Sequence, residues 1–275
     1  MFRNITLGQY YPVNSILHRL DPRVKLLGIT VYIAAVFVID NIWGYIFLGA
    51  VLALSIAASK VPLKYMLRGL KAVWVLVILA VIFNLFSGKG NILWEWWIFK
   101  LSDHGILMAA FFALRLICVV LGTGLLTYTT TPTTLTNGLE KVFRPLKVIH
   151  FPGHEIAMMM SIALRFIPIL AEEVNKIINA QLARGADFET GGIIRKAKGM
   201  IPILIPLFVS AFKRATDLAT AMEARCYHGG DGRTKMHPLK YTSTDKAAYI
   251  IILLLLGASI AVRILLDKYL PSGRI

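Results

Sequence analysis

The strongest constraint on this chain is how its apolar residues are gathered. Five runs approach the length that crosses a bilayer, and polar or charged stretches divide them. A spanning helix needs about 20 mostly apolar residues. The runs cover residues 24–39, 42–58, 72–86, 105 to about 128, and 247–266. Only Asp40 and Asn41 separate the first two, which predicts a tight helical hairpin. Arg115 lies inside the fourth. Composition agrees: 57% of the 275 residues are hydrophobic, 16% are charged, and the mean hydropathy is +0.67. Soluble domains are about 45–50% apolar and about 25% charged. The expected fold is an all-α integral membrane protein with about five transmembrane helices.

Basic residues orient it. Arg3, Arg19, Arg23 and Lys25 precede the first run, and Lys60, Lys64, Arg68 and Lys71 follow the second. Residues 131–246 carry sixteen more Lys and Arg, so twenty-four cations fall on one side against four on the other (Lys89, Lys100, Lys268, Arg274). Cytoplasmic loops concentrate Lys and Arg, so the N-terminus and the long segment are expected inside and the C-terminus outside. The net charge of +15 then meets anionic membrane lipid, not nucleic acid. Residues 1–21 have no apolar core and do not read as a signal peptide. Trp94, Trp96 and Trp97, in the outer loop, suit headgroup depth. The organisation is a region of four spans over 1–130, cytoplasmic coupling helices over 131–246, and a final span with the C-terminus over 247–275.

The long inner segment is too apolar for a loop and too charged for a pair of spans. Ile156, Met159, Met160, Ala163, Ile167, Leu170, Val174, Ile177, Ile178 and Leu182 recur at helical spacing and predict one helix over 155–187. Pro168 should kink it. A second long helix is predicted over about 194–226 and a short one over 134–148. Both long helices are expected to lie amphipathically along the membrane surface. Arg165 argues against residues 153–171 as a sixth span. A weak repeat marks their ends: Ala180-Gln181-Leu182-Ala183-Arg184-Gly185 matches Ala221-Met222-Glu223-Ala224-Arg225-Cys226, with 41 residues between the arginines. One Arg at a helix end means little, because the helix dipole favours a cation there. Two copies on the same side point to docking.

At these residues the sequence resembles the transmembrane component of energy-coupling factor transporters, the prokaryotic vitamin and metal importers. The paired triplets carry the resemblance, together with Leu20-Asp21-Pro22-Arg23-Val24-Lys25-Leu26 and the order of four spans, helical insert and last span. It implies a multi-pass protein of a prokaryotic cell membrane. Its partners would be two ABC-type ATPase subunits and a separate substrate-binding membrane subunit. Ala183, Arg184, Gly185, Ala224, Arg225 and Cys226 would be the ATPase-docking residues, with ATP bound only by the partner subunits. Cys226 departs from the usual Gly or Ala, though it is still small. Met158, Met159 and Met160 suit a face that repacks against a partner.

No catalytic set is evident, so an enzyme is not expected. The chain lacks a Gly-x-x-x-x-Gly-Lys-Ser/Thr loop and needs no cofactor of its own. His150 and His154 are separated by Pro152 and Gly153, and His228 and His237 near Cys226 and Asp231 match no zinc spacing, so no metal site is expected. Cys118 and Cys226 form no disulfide framework. A membrane enzyme acting on lipid phosphates is the alternative, but it would need paired carboxylates on a span. A self-contained secondary transporter would need inverted repeats.

Overall fold

A computed structural model describes residues 10–39, 41–85, 92–96, 99–143, 145, 152–186, 192–229, 239 and 241–269. The described elements are α1 (Ile16–Arg19), α2 (Pro22–Val38), α3 (Ile42–Ser59), α4 (Leu63–Leu85), β1 (Ile92–Trp96), β2 (Phe99–Ser102), α5 (Asp103–Thr129), α6 (Pro132–Phe143), α7 (Gly153–Ala183), α8 (Ile193–Glu223) and α9 (Ser243–Tyr269). The protein is an all-helical integral membrane protein apart from one small antiparallel hairpin, in which β1 pairs with β2. Two compact units are present. One comprises Gly8–Gly138 with Leu239–Ile275 and is here called the span unit. The other comprises Met1–Leu7 with Leu139–Pro238 and is called the hairpin unit.

In the span unit, α2 starts where the sequence predicts. Asp21 Oδ1 accepts the Arg23 N–H at 2.9 Å and Pro22 opens the first turn, so one donor is capped and another is absent. The helix packs on α3 and α5 through a core of Tyr32, Ala35, Val36, Ile39, Tyr45, Leu48, Leu52 and Cys118. Helices approach closely here: a Cβ on Gly122 of α5 would come within 2.8 Å of the Tyr32 ring. Among lipid-facing helices, where water drives nothing together, such small-residue contacts supply the packing. Arg115, the charge inside α5, is also accommodated. Its Nε–H donates to Tyr45 Oη at 2.8 Å, and its guanidinium carbon lies 5.6 and 5.7 Å from the Phe37 and Phe112 rings.

Among the described residues five helices are long and apolar enough to cross a membrane, α3, α5, α7, α8 and α9, and the bent α4 counts as a sixth if taken as one span. The number matches the expectation but the set does not. At 17 residues α2 is somewhat short of a full span. α4 begins nine residues earlier than the apolar run and bends by 59° between Leu63–Lys71 and Val73–Leu85. Lys64, Arg68 and Lys71 end the apolar run without ending the helix, because Lys and Arg are good helix formers. α7 and α8 qualify because each holds a long window poor in charge: α7 has only Glu155 and Arg165 before Glu172, and α8 has none between Lys198 and Lys213.

α6 ends at Phe143, and Val148 of the expected 134–148 helix lies outside the described residues, as does Asp187 of the expected 155–187 helix. Trp97, His150, Asp231 and His237 also lie outside them.

Candidate docking ends and the polar belt

Arg184 and Arg225 occupy the same local structure at the ends of α7 and α8. After α7, the Gly185 N–H returns to Leu182 O at 2.9 Å and the Ala186 N–H to Gln181 O at 3.0 Å. After α8, the Cys226 N–H returns to Glu223 O at 2.9 Å and the Tyr227 N–H to Met222 O at 3.1 Å. Each pair is a Schellman stop, and a shift of 41 residues superposes one on the other. The stop needs a left-handed residue just after the arginine. Gly185 has φ +85° and Cys226 has φ +56°. The third triplet position is therefore small for a backbone reason. Glycine adopts this conformation freely, and cysteine at that φ costs about 1 kcal/mol. Ala183, Arg184, Gly185, Ala224, Arg225 and Cys226 are all exposed. Each guanidinium thus leaves a helix end flanked by residues that do not crowd it.

The two helices form an antiparallel pair. Arg214 of α8 donates from Nη2 (2.7 Å) and Nε (3.1 Å) to Glu173 Oε2, while Ser210 Oγ donates to Glu173 Oε1 at 2.6 Å. Further along α7, Gln181 Nε2 donates to Pro202 O at 3.4 Å, so the contacts advance along one helix and retreat along the other. Glu173 and Arg214 are partly exposed, so their pairing adds only about 1 kcal/mol or less of stability. The arginines stand beyond this contact in opposite directions, each about 16 Å from it at 1.5 Å per residue.

A second polar constellation joins helix ends within the span unit. Asp245 is almost fully buried. Its Oδ2 accepts from the Thr242 N–H (2.8 Å) and Thr242 Oγ1 (2.7 Å), which fixes the N-terminus of α9. Its Oδ1 accepts the Asp21 N–H at 2.8 Å, which ties α9 to the start of α2. Lys25 Nζ donates to Thr129 O (2.9 Å) at the end of α5 and to His18 O (3.3 Å) at the end of α1. A cation beside two helix C-termini satisfies carbonyls that have no partner within the helix. Tyr128 Oη donates to Tyr65 O at 2.9 Å, and the Arg23 guanidinium lies 4.9 Å from the Tyr241 ring centroid. The starts of α2, α4 and α9 and the end of α5 therefore gather at one end of the unit. His18 Nε2 hydrogen-bonds Tyr11 O at 3.0 Å. Burial, reinforced by the Lys25 charge, holds the imidazole pKa below its ordinary value against that bond. The resemblance stretch 20–26 thus ties helix ends together, with contacts 224 residues apart that no local pattern announces.

Of the other residues singled out, His154 lies 3.0 Å from Glu140 through Nδ1, within the hairpin unit. Met159 and Met160 are exposed on α7. Cys118 is buried in the span-unit core and Cys226 is exposed. Among the described residues no group of three or more His, Cys, Asp or Glu side chains is placed to hold a metal.

Comparison with known proteins places the chain. The family described as cobalt transport protein, CbiQ, matches residues 13–237. The energy-coupling factor transporter transmembrane protein EcfT of Clostridium kluyveri is 49% identical over 266 residues, covering 96% of this chain and 98% of that one. The protein of the same name from Thermosediminibacter oceani is 48% identical over 95% of this chain and 98% of its own length. That from Bacillus subtilis is 42% identical over 93% and 97%. A match of nearly half the residues across nearly the full length of both chains leaves one assignment: the chain belongs to the family of transmembrane components of energy-coupling factor transporters, which are transport subunits and not enzymes.

Proposed function

We propose that this subunit couples ATP hydrolysis by two cytosolic ABC-type ATPases to a separate substrate-binding membrane subunit, for the uptake of a vitamin or a metal ion. The observation that carries the reading is the pair of exposed arginines, each set at a helix end by the same left-handed stop. A planar guanidinium at a rigid tip matches a carboxylate with two parallel hydrogen bonds, which a lysine cannot do. Two such tips pointing opposite ways suit two ATPase subunits. Closure of the ATPases on ATP would move the tips, and the long helices would carry the motion to the substrate-binding subunit lying on their apolar faces. Cargo choice rests with that partner.

The test is copurification. The double variant Arg184→Glu/Arg225→Glu reverses charge at both docks. It should lose the ATPase pair almost completely, while each single variant keeps part of it. Full retention in the double variant would overturn the docking role.

The reading also places α7 and α8 on the cytoplasmic face, with the N-terminus inside and the C-terminus outside. The bias of Lys and Arg supports this. So does the convergence of helix ends at the polar belt, where Arg19, Arg23 and Lys25 lie close to the belt's contacts. Cysteines introduced singly at 159 and 167 in a Cys226→Gly background should react with an impermeant thiol reagent from the inside only. Labelling from the outside would put these helices across the bilayer instead.

A further inference from the structure

The 41-residue repeat reaches further inward than its triplets. Carried back along both helices, it sets Glu173 of α7 equivalent to Arg214 of α8, and these are the two residues that bind each other. In an antiparallel pair of like helices, a position touches its own counterpart only where a two-fold axis relating the copies passes between them. The ion pair therefore lies beside that axis, which the Ser210–Glu173 and Gln181–Pro202 contacts set within about two residues of it. Equal side chains there would set Glu against Glu or Arg against Arg, so the repeat can close on itself only if one copy inverts its charge. It does so at the axis and at the flanking positions too: Glu172 corresponds to Lys213, and Lys176 to Asp217. From the ion pair, eleven residues lead to Arg184 along α7 and eleven lead to Arg225 along α8. Neither arm contains proline, because Pro168, Pro202 and Pro206 all lie on the far side of the contact.

We propose that Glu173, Arg214 and Ser210 are positioning residues that form the fulcrum of the hairpin unit, fixing the register in which α7 and α8 cross and hence the span between the two arginine tips. Their value to transport, though not their geometry, rests on the docking reading above. The pair contributes little to holding the helices together, and its function is to select one register among those that apolar faces alone would allow. Ser210 occupies the carboxylate oxygen that Arg214 leaves free, so Glu173 is held on both sides.

The test uses the full chain in lipid nanodiscs, in a Cys226→Gly background, with spin labels at 182 and 223. These positions are exposed and equivalent under the repeat. A single narrow label–label distance is expected. Glu173→Arg, which sets two guanidinium groups face to face, should shift or broaden it by about one helical turn, roughly 5 Å. The exchange Glu173→Arg/Arg214→Glu should restore the original peak. In the assembled transporter, Glu173→Arg should lower uptake per ATP by about fivefold and the exchange should recover most of it, while the ATPase pair still copurifies.

If Glu173→Arg does not accumulate, Glu173→Gln and Arg214→Gln serve in its place, and a broadened peak in both supports the fulcrum. An unchanged peak in any charge-altered variant, or an exchange that fails to restore it, sinks the proposal. The distance readout involves no ATPase. Failure of the docking test would remove the link to uptake and leave the register claim to be judged by label distance alone.

Discussion

The span unit and the hairpin unit solve opposite problems. Within the span unit, α2, α3 and α5 bury one another. Leu48 and Val36 are wholly enclosed, and a charged residue such as Lys25 or Arg115 finds partners on a neighbouring helix. In the hairpin unit the two longest helices bury almost nothing in the chain itself. Leu204, Ile205, Phe208, Val209 and Phe212 of α8 stand exposed, as do Met159, Met160 and Leu182 of α7. One unit is made to be rigid by itself. The other is made to be completed by what surrounds it, and it defines its own geometry through a few polar contacts and two backbone stops. The contrast teaches that α7 and α8 leave most of their apolar surface for lipid and partners to cover.

Four substitutions test that contrast. The largest effect is expected in the span core. Leu48→Ala should lower unfolding stability in detergent by about 3 kcal/mol, through lost contacts and the cavity left behind, measurable as a drop in Tm. A change within error would mean that this core is not tightly packed. Next, Cys226→Gly removes a side chain from a left-handed position. It should stabilise the end of α8 by about 0.5–1 kcal/mol, seen as slower local hydrogen exchange, while Gly185→Ala in α7 should do the reverse. Faster exchange in Cys226→Gly would contradict the stop described here. The smallest effect is expected on α8. Phe208→Ala should change the Tm of the isolated subunit by an amount worth less than about 0.5 kcal/mol, because that ring is exposed. A loss as large as that of Leu48→Ala would erase the distinction between the units.

Much of this was legible in the sequence. The apolar runs located α2, α3, α5 and α9, and Asp21-Pro22 announced its cap. Helical periodicity found α7 and α8 as single long rods despite their prolines. The triplets located the two arginine ends. α4 was misread in extent because charge ends an apolar run but not a helix. The strand pair around Glu95 and Lys100 was missed because four- and five-residue strands give too few alternations to count. The polar belt could not be foreseen, since Asp21 and Asp245 meet across 224 residues of chain with no shared pattern. The contact between Glu173 and Arg214 is a different kind of omission. Its signal was present in the 41-residue register, which matched the ends of the helices but was not carried inward to the charges.

The unequal third residue of the two triplets has a practical consequence. The chain holds only two sulfhydryls, and the other one, Cys118, is shielded among the packed helices. A maleimide fluorophore added to the unmodified protein would therefore tag a single tip and leave its twin bare. Two otherwise matched helix ends are thereby separately addressable, and the surroundings of the Arg225 end can be followed without engineering the chain at all.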